Sequence, residues 1–114
     1  MIEELAKLAT LEGVTGLCHH RGGIILWQRL PDMLTKDQAA ALCAAVSRAF
    51  ASYHAAERIL TESYFEFPGH SVLVIARPPS AGEPPREFLT FLLKNREAAA
   101  GAAAAGAAIW RSDT

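Results

Sequence analysis

The chain has 114 residues, enough for one domain with one core, and a 51% apolar, 20% charged composition typical of globular proteins. A net charge of −1 leaves no electrostatic footprint for nucleic acid, and no run of about 18 large apolar residues exists to cross a bilayer. The acidic, amphipathic start MIEELAKLATLEG lacks the basic-then-apolar pattern of a secretion signal, and Cys18 and Cys43 suit reduced, buried thiols better than a disulfide framework. A cytoplasmic protein is the expectation.

In chain order, Ile2, Leu5, Leu8, Ala9 and Leu11 mark one helical face, which Gly13 stops. Residues 14–20 read as a short strand, and Arg21-Gly22-Gly23 supplies the positive-φ tolerance of a tight hairpin. The β-branched and aromatic residues 24–29 form the return strand, which ends at Leu30-Pro31-Asp32. Thr35-Lys36-Asp37-Gln38 is a capping box, in which the Thr35 hydroxyl accepts from the Gln38 amide and the Gln38 side chain reaches back to the Thr35 amide.

The helix that follows is expected to run to about Arg58, with Leu42, Val46, Phe50 and Tyr53 as its core stripe. Its opposite face carries Ala40, Ala41, Ala44, Ser47, Ala51 and Ala55, with Arg48 as the main charge between the ends. A solvated face on so long a helix usually shows several Lys or Glu. A smooth Ala and Ser face suits close approach by a second backbone, whereas the plainer reading is that Ala is simply a good helix former on a surface.

Residues 59–67 alternate, with Ile59, Thr61, Ser63, Phe65 and Phe67 on one face and Leu60, Glu62, Tyr64 and Glu66 on the other. Pro68-Gly69 turns the chain into SVLVIAR, a near-continuous apolar strand suited to the middle of a sheet. Four prolines make residues 78–85 a loop. Residues 86–94 are ambiguous, because Phe88, Leu89, Phe91 and Leu92 also fit a helical stripe. A strand is favoured by the pleat-loving Phe, Thr and Leu, by a hairpin with SVLVIAR, and by Asn95 and Glu97, which suit a fresh helix start. The last helix then runs to Trp110, anchored by Ile109 and Trp110. One helix from Arg86 onward is the competing reading.

Chemistry-bearing groups are sparse. Cys18-His19-His20 places Cys18 and His20 on one strand face, but a structural zinc site wants four ligands, and nothing in the spacing brings Cys43, His54 or His70 to them. Cys18 or Cys43 with a histidine has no visible oxyanion donor or orienting acid, so core packing is the competing role. Gly22-Gly23 is a turn, since no phosphate-binding G-x-x-x-x-G-K-[ST] occurs anywhere. Glu62 and Glu66 suit solvent or a partner's arginine, and the proline loop reads as a stiff connector rather than a ligand for a polyproline reader.

The order helix, two strands, helix, three strands, helix makes an α/β (α+β) domain over 1–114 with a five-stranded antiparallel sheet between helices. The stretch LEGVTGLCHHRGGIILWQR resembles the Gly-Val-x-Gly strand, tight turn and return strand of the roadblock family, the dynein light chain roadblock-type domain also found in bacteria. LCAAVSRAFASY, YFEFPGHSVLVIAR and the small-residue last helix match the same roadblock/profilin-like pattern in order and character. The resemblance implies a homodimer in which the middle helices pack together and the third strands pair at their edges. On this chain the helix would contribute Ala40, Ala44, Ser47, Arg48, Ala51 and Ala55, and the strand edge would be the backbone of Leu60, Glu62, Tyr64 and Glu66. It further implies a non-enzymatic module without cofactor that regulates or scaffolds a Ras-like small GTPase. A metal- or thiol-dependent Cys/His enzyme and a structural adaptor without a nucleotide-dependent partner are the alternatives.

Overall fold

Amphipathic periodicity and turn chemistry divide the described residues into eight main elements. The computed structural model describes residues 1–56 and 60–113. It contains α1 (Ile2–Leu8), β1 (Val14–Arg21), β2 (Ile24–Arg29), α2 (Lys36–Ala55), β3 (Glu62–Phe67), β4 (His70–Ala76), β5 (Glu87–Leu93), a 3-10 turn at Arg96–Ala98 and α3 (Ala99–Ser112). The segment over 86–94 is thus a strand, and the five strands make one sheet in the order β2-β1-β5-β4-β3 with every neighbouring pair antiparallel. The expected end of the middle helix near Arg58 and strand start at Ile59 lie outside the described residues; β3 itself begins at Glu62.

Local signals set the element ends. Thr35 accepts from the Gln38 amide at 3.1 Å while Gln38 Oε1 accepts from the Thr35 amide at 3.0 Å, which satisfies two otherwise orphaned donors. Asn95 Oδ1 accepts from the Ala98 amide at 3.2 Å and starts the C-terminal helical segment. Gly13 joins α1 to β1 at φ +83°, and a Cβ there would lie 2.5 Å from the Ala98 Cβ. Both the backbone conformation and the space therefore demand glycine.

Strand alternation splits the core between the two faces of the sheet. On one face, Leu17, Leu73, Ile75, Leu89, Phe91 and Leu93 pack under Leu5 and Leu8 of α1 and Ala102, Ile109 and Trp110 of α3. On the other, Val72, Val74, Ala76, Phe88 and Leu92 meet Val46 and Phe50 of α2, where the Phe50 and Phe88 rings lie 4.9 Å apart. Burying each such Val, Leu, Ile or Phe side chain stabilises the fold by about 1.5–3 kcal/mol. The Ala-rich α3 sits close to the sheet: a Cβ on Gly106 would lie 3.2 Å from Phe91 Cε1 and 3.3 Å from Ile75 Cγ1.

The stripe of α2 that faces the sheet matches the one its heavy residues mark at Val46 and Phe50 and departs from it at Tyr53. Ala39, Cys43, Val46 and Phe50 are buried, whereas Leu42 is half-buried and Tyr53 is 51% exposed. The helix is rotated so that its small side lies over the β1–β2 turn. A Cβ on Gly23 would come within 3.5 Å of the Ala44 Cβ, and one on Gly22 within 3.9 Å of Ser47 Oγ. Close passage of a backbone turn outweighs full burial of Tyr53.

Candidate functional site

The outer strand β3 leaves one rim of the sheet open. In an antiparallel ladder, alternate residues turn both their N–H and C=O toward the same neighbour. The Ala76 amide donates to the Thr61 carbonyl at 2.9 Å, so the odd-numbered residues of β3 face β4. The main-chain groups of Glu62, Tyr64 and Glu66 therefore point out of the sheet. The pairing of β3 with β4 is unbroken from Glu62↔Ile75 to Phe67↔His70, so this rim is regular and free of bulges.

Side chains along the rim alternate between the faces. Ser63, Phe65 and Phe67 share the face of α2, and the two rings remain 38% and 46% exposed. Tyr64 lies on the α3 side, where its hydroxyl donates to Ser71 Oγ at 2.8 Å. Glu66 on that side accepts from Arg96 at 2.7 Å. The hydrogen bond to Glu66, with that to Tyr64, holds the Arg96 guanidinium further above its ordinary value.

The helix residues singled out by sequence fall into two groups. Ala40, Ala44 and Ser47 are half-buried beside the β1–β2 turn, while Arg48, Ala51 and Ala55 are exposed. The exposed side also carries Ala41, Ala45 and Ser52, so one cation is all the charge along its middle. Of the strand residues, Leu60 and Tyr64 are half-buried and Glu62 and Glu66 are exposed.

The Cys18-His19-His20 cluster divides as strand alternation requires. Cys18 and His20 lie beneath α2, where His20 stacks on Phe88 at 5.3 Å. His20 Nδ1–H donates to the Gly22 carbonyl at 3.0 Å, which leaves Nε2 to accept from the Thr90 hydroxyl at 2.7 Å. Burial is the main cause of a His20 pKa lowered to about 4, against the raising effect of the Gly22 bond, so the ring is neutral near pH 7. Cys18 and Cys43 are free and buried; the hydrogen bond between them and burial hold the Cys43 thiol far above its ordinary value. Cys43 therefore packs as an un-ionised thiol, while the same hydrogen bond holds the Cys18 thiol below its ordinary value against the effect of burial. Among the described residues no three His, Cys, Asp or Glu side chains gather as metal ligands.

Sequence reading missed Glu87. It enters β5 as a charged residue in an otherwise apolar run, and its carboxylate is buried. His19 Nε2–H donates to it at 3.0 Å, Arg21 at 2.9 Å and Arg77 at 3.2 Å. Burial would raise its pKa, but the bonds from Arg21 and His19, the charge of His19 and the bond from Arg77 together hold it at about 2. Arg77 also pairs with Asp113 at 3.1 Å and lies over the Trp110 ring, 5.6 Å from its centroid. With three hydrogen bonds shared between its two oxygens, Glu87 is held ionised, and through Arg77 and Asp113 the cluster ties α3 to the sheet.

No family model matches the chain, and no curated protein matches it in sequence. Solved structures do match it in shape. A Roadblock/LC7 domain from Streptomyces avermitilis superposes with a TM-score of 0.74 at 15% identity, over 98% of this chain and 92% of that one. The fold is the roadblock fold. An MglB with a tetrameric arrangement superposes at 0.70 and 14% identity over 98% of this chain and 82% of that one. Myxococcus xanthus MglB superposes at 0.67 and 12% identity over 99% and 91%. At these identities the likeness concerns the roadblock architecture, to which the chain conforms from α1 to α3.

Proposed function

We propose that this chain is a non-enzymatic, homodimeric interaction module whose outer α2 face and β3 rim bind a second copy, and whose paired helices regulate or scaffold a Ras-like small GTPase. The observation that carries the reading is the coincidence, on one side of a roadblock fold, of a regular open strand rim with a long helix face nearly devoid of charge. One of the structures it resembles is an MglB with a tetrameric arrangement, a precedent for self-association on this architecture. The GTPase partner comes from the resemblance of the sequence to roadblock proteins, whose members commonly act on such enzymes. As a regulator it would bias the GTPase's switch conformation by binding one nucleotide state more tightly than the other. Arg48, mid-helix, serves as a polar contact on that surface and lacks the mobile loop of a catalytic arginine.

Sedimentation of the wild-type chain and of Ala45→Glu tests the dimer. The variant places an uncompensated charge in the helix contact and is expected to sediment as a folded monomer. An unchanged size would remove that face from the interface. Capture of a small GTPase from lysate loaded with GTP or with GDP tests the partner: a nucleotide-dependent difference supports regulation, and equal capture leaves a scaffold.

A further inference from the structure

We infer that the twofold axis of the β3 contact proposed above passes through Tyr64, and that Arg96 of each chain then binds its own Glu66 together with Glu62 of the other chain. Resting on the self-association proposed above, this fixes the register of the contact and gives Arg96 a role across it.

Register follows from which main-chain groups are free and where the strand stops. Glu62, Tyr64 and Glu66 present their N–H and C=O outward, and β3 extends from Glu62 to Phe67. A twofold axis perpendicular to the sheet sets like-facing residues opposite each other. With the axis at Tyr64, Glu62 opposes Glu66, Tyr64 opposes Tyr64, and Glu66 opposes Glu62. Each pair exchanges two hydrogen bonds, so every outward group of the strand is satisfied. Moving the axis to Phe65 sets Glu62 against Pro68, which has no N–H to give. Moving it to Ser63 sets Glu66 against Leu60, which lies outside the strand.

The side chains agree on both faces. Glu62 opposite Glu66 would repel unless a cation lies between them. Arg96 already sits 2.7 Å from Glu66 on the exposed α3 side, and its five donors exceed what one carboxylate takes. Glu62 has no ion-pair partner among the described residues. On the α2 side, Phe65 meets Ser63 of the second copy, a small residue that leaves room for the ring. That pair is of the non-hydrogen-bonded kind, with Cα atoms about 4.5 Å apart, a span a disulfide can bridge.

Cross-linking reads the register directly. Ser63→Cys and Phe65→Cys are made separately and oxidised with copper–phenanthroline; the native Cys18 and Cys43 are buried. The mixture of the two variants is expected to form a covalent dimer, and each variant alone far less. Efficient linking of Phe65→Cys alone moves the axis to Phe65, efficient linking of Ser63→Cys alone moves it to Ser63, and either overturns the register. So does a wild-type dimer in which no combination links. A wild-type chain that sediments as a monomer at high concentration overturns the self-association itself. For Arg96, Arg96→Ala is expected to weaken the dimer about tenfold and to do much less in a Glu62→Gln background. An equal effect in both backgrounds confines Arg96 to its own chain and overturns its role across the axis.

Discussion

The sheet has two open rims, and they are built differently. β2 carries a bulge: Trp27 pairs with His19 and Ile25 with His20, so Leu26 is an extra residue that bends the rim. Arg29 and Gln28 stand at its end, exposed, and the turn beside it is held from below by His20. β3 has no bulge, no lysine and no proline within its six residues, and it exposes two phenylalanines. Bulges and charges are the devices by which natural sheets discourage edge pairing. The first rim is therefore blunted by its bulge, whereas the second is regular and carries its only charges at Glu62 and Glu66, which is why the proposed contact is placed there.

Acid is the largest lever on this contrast, because it acts on the β2 side first. His20 has a folded pKa near 4, below its ordinary value, so the unfolded chain binds more protons between about pH 6.5 and pH 4. Stability from His20 is complete above that window and is lost as pH falls through it, by up to about 3 kcal/mol. Glu87, held at about 2, adds a second loss at lower pH, below its ordinary carboxylate range. Urea titrations at pH 7 and pH 4.5 should show the drop, and His20→Gln should flatten it above pH 4.5. A pH-independent midpoint in the wild type would mean that His20 does not tie the hairpin down.

Next in size is the β3 rim. Glu62→Pro removes one outward N–H at the first residue of the strand, where proline is tolerated. It should weaken self-association about tenfold while the circular dichroism spectrum stays that of the wild type. Smallest is the expected effect at the other rim: Leu26→Lys should leave the dimer constant within about twofold, as a surface change away from the contact does. If Leu26→Lys dissociates the protein and Glu62→Pro does not, the two rims have exchanged roles.

Local signals made much of the fold legible. The Thr35–Gln38 box, the Gly22 and Gly69 turns and the Asn95 cap each act within four residues, and each forms as its chemistry demands. The strand over 87–93 was readable once the proline loop was seen to return the chain beside β4. The rotation of α2 was not readable, because a helix made largely of alanine has a shallow apolar gradient. What turns Cys43 inward and Tyr53 outward is a distant pair of glycines. The Glu87 cluster was hidden for a similar reason. The β1 pair His19 and Arg21 is far in sequence from Arg77, Glu87 and Asp113, and these groups meet only after β1, β4 and β5 align. The outward phase of Glu62, Tyr64 and Glu66 follows from alternation alone, but that β3 is outermost is a property of the whole sheet.

The closeness of Gly106 to Phe91 and Ile75 has an evolutionary corollary. The run AAGAAAAGAAIW looks like a low-complexity tract, the kind of composition often set aside as a featureless tail. Here monotony is what clearance requires: a larger residue facing the sheet would lift the helix from its seat and pull Trp110 from its place against Ile75. Substitution at Ala102 and Gly106, the small residues of α3 buried against the sheet, should be held to the smallest side chains, so part of the plainest stretch of the chain is among its most constrained.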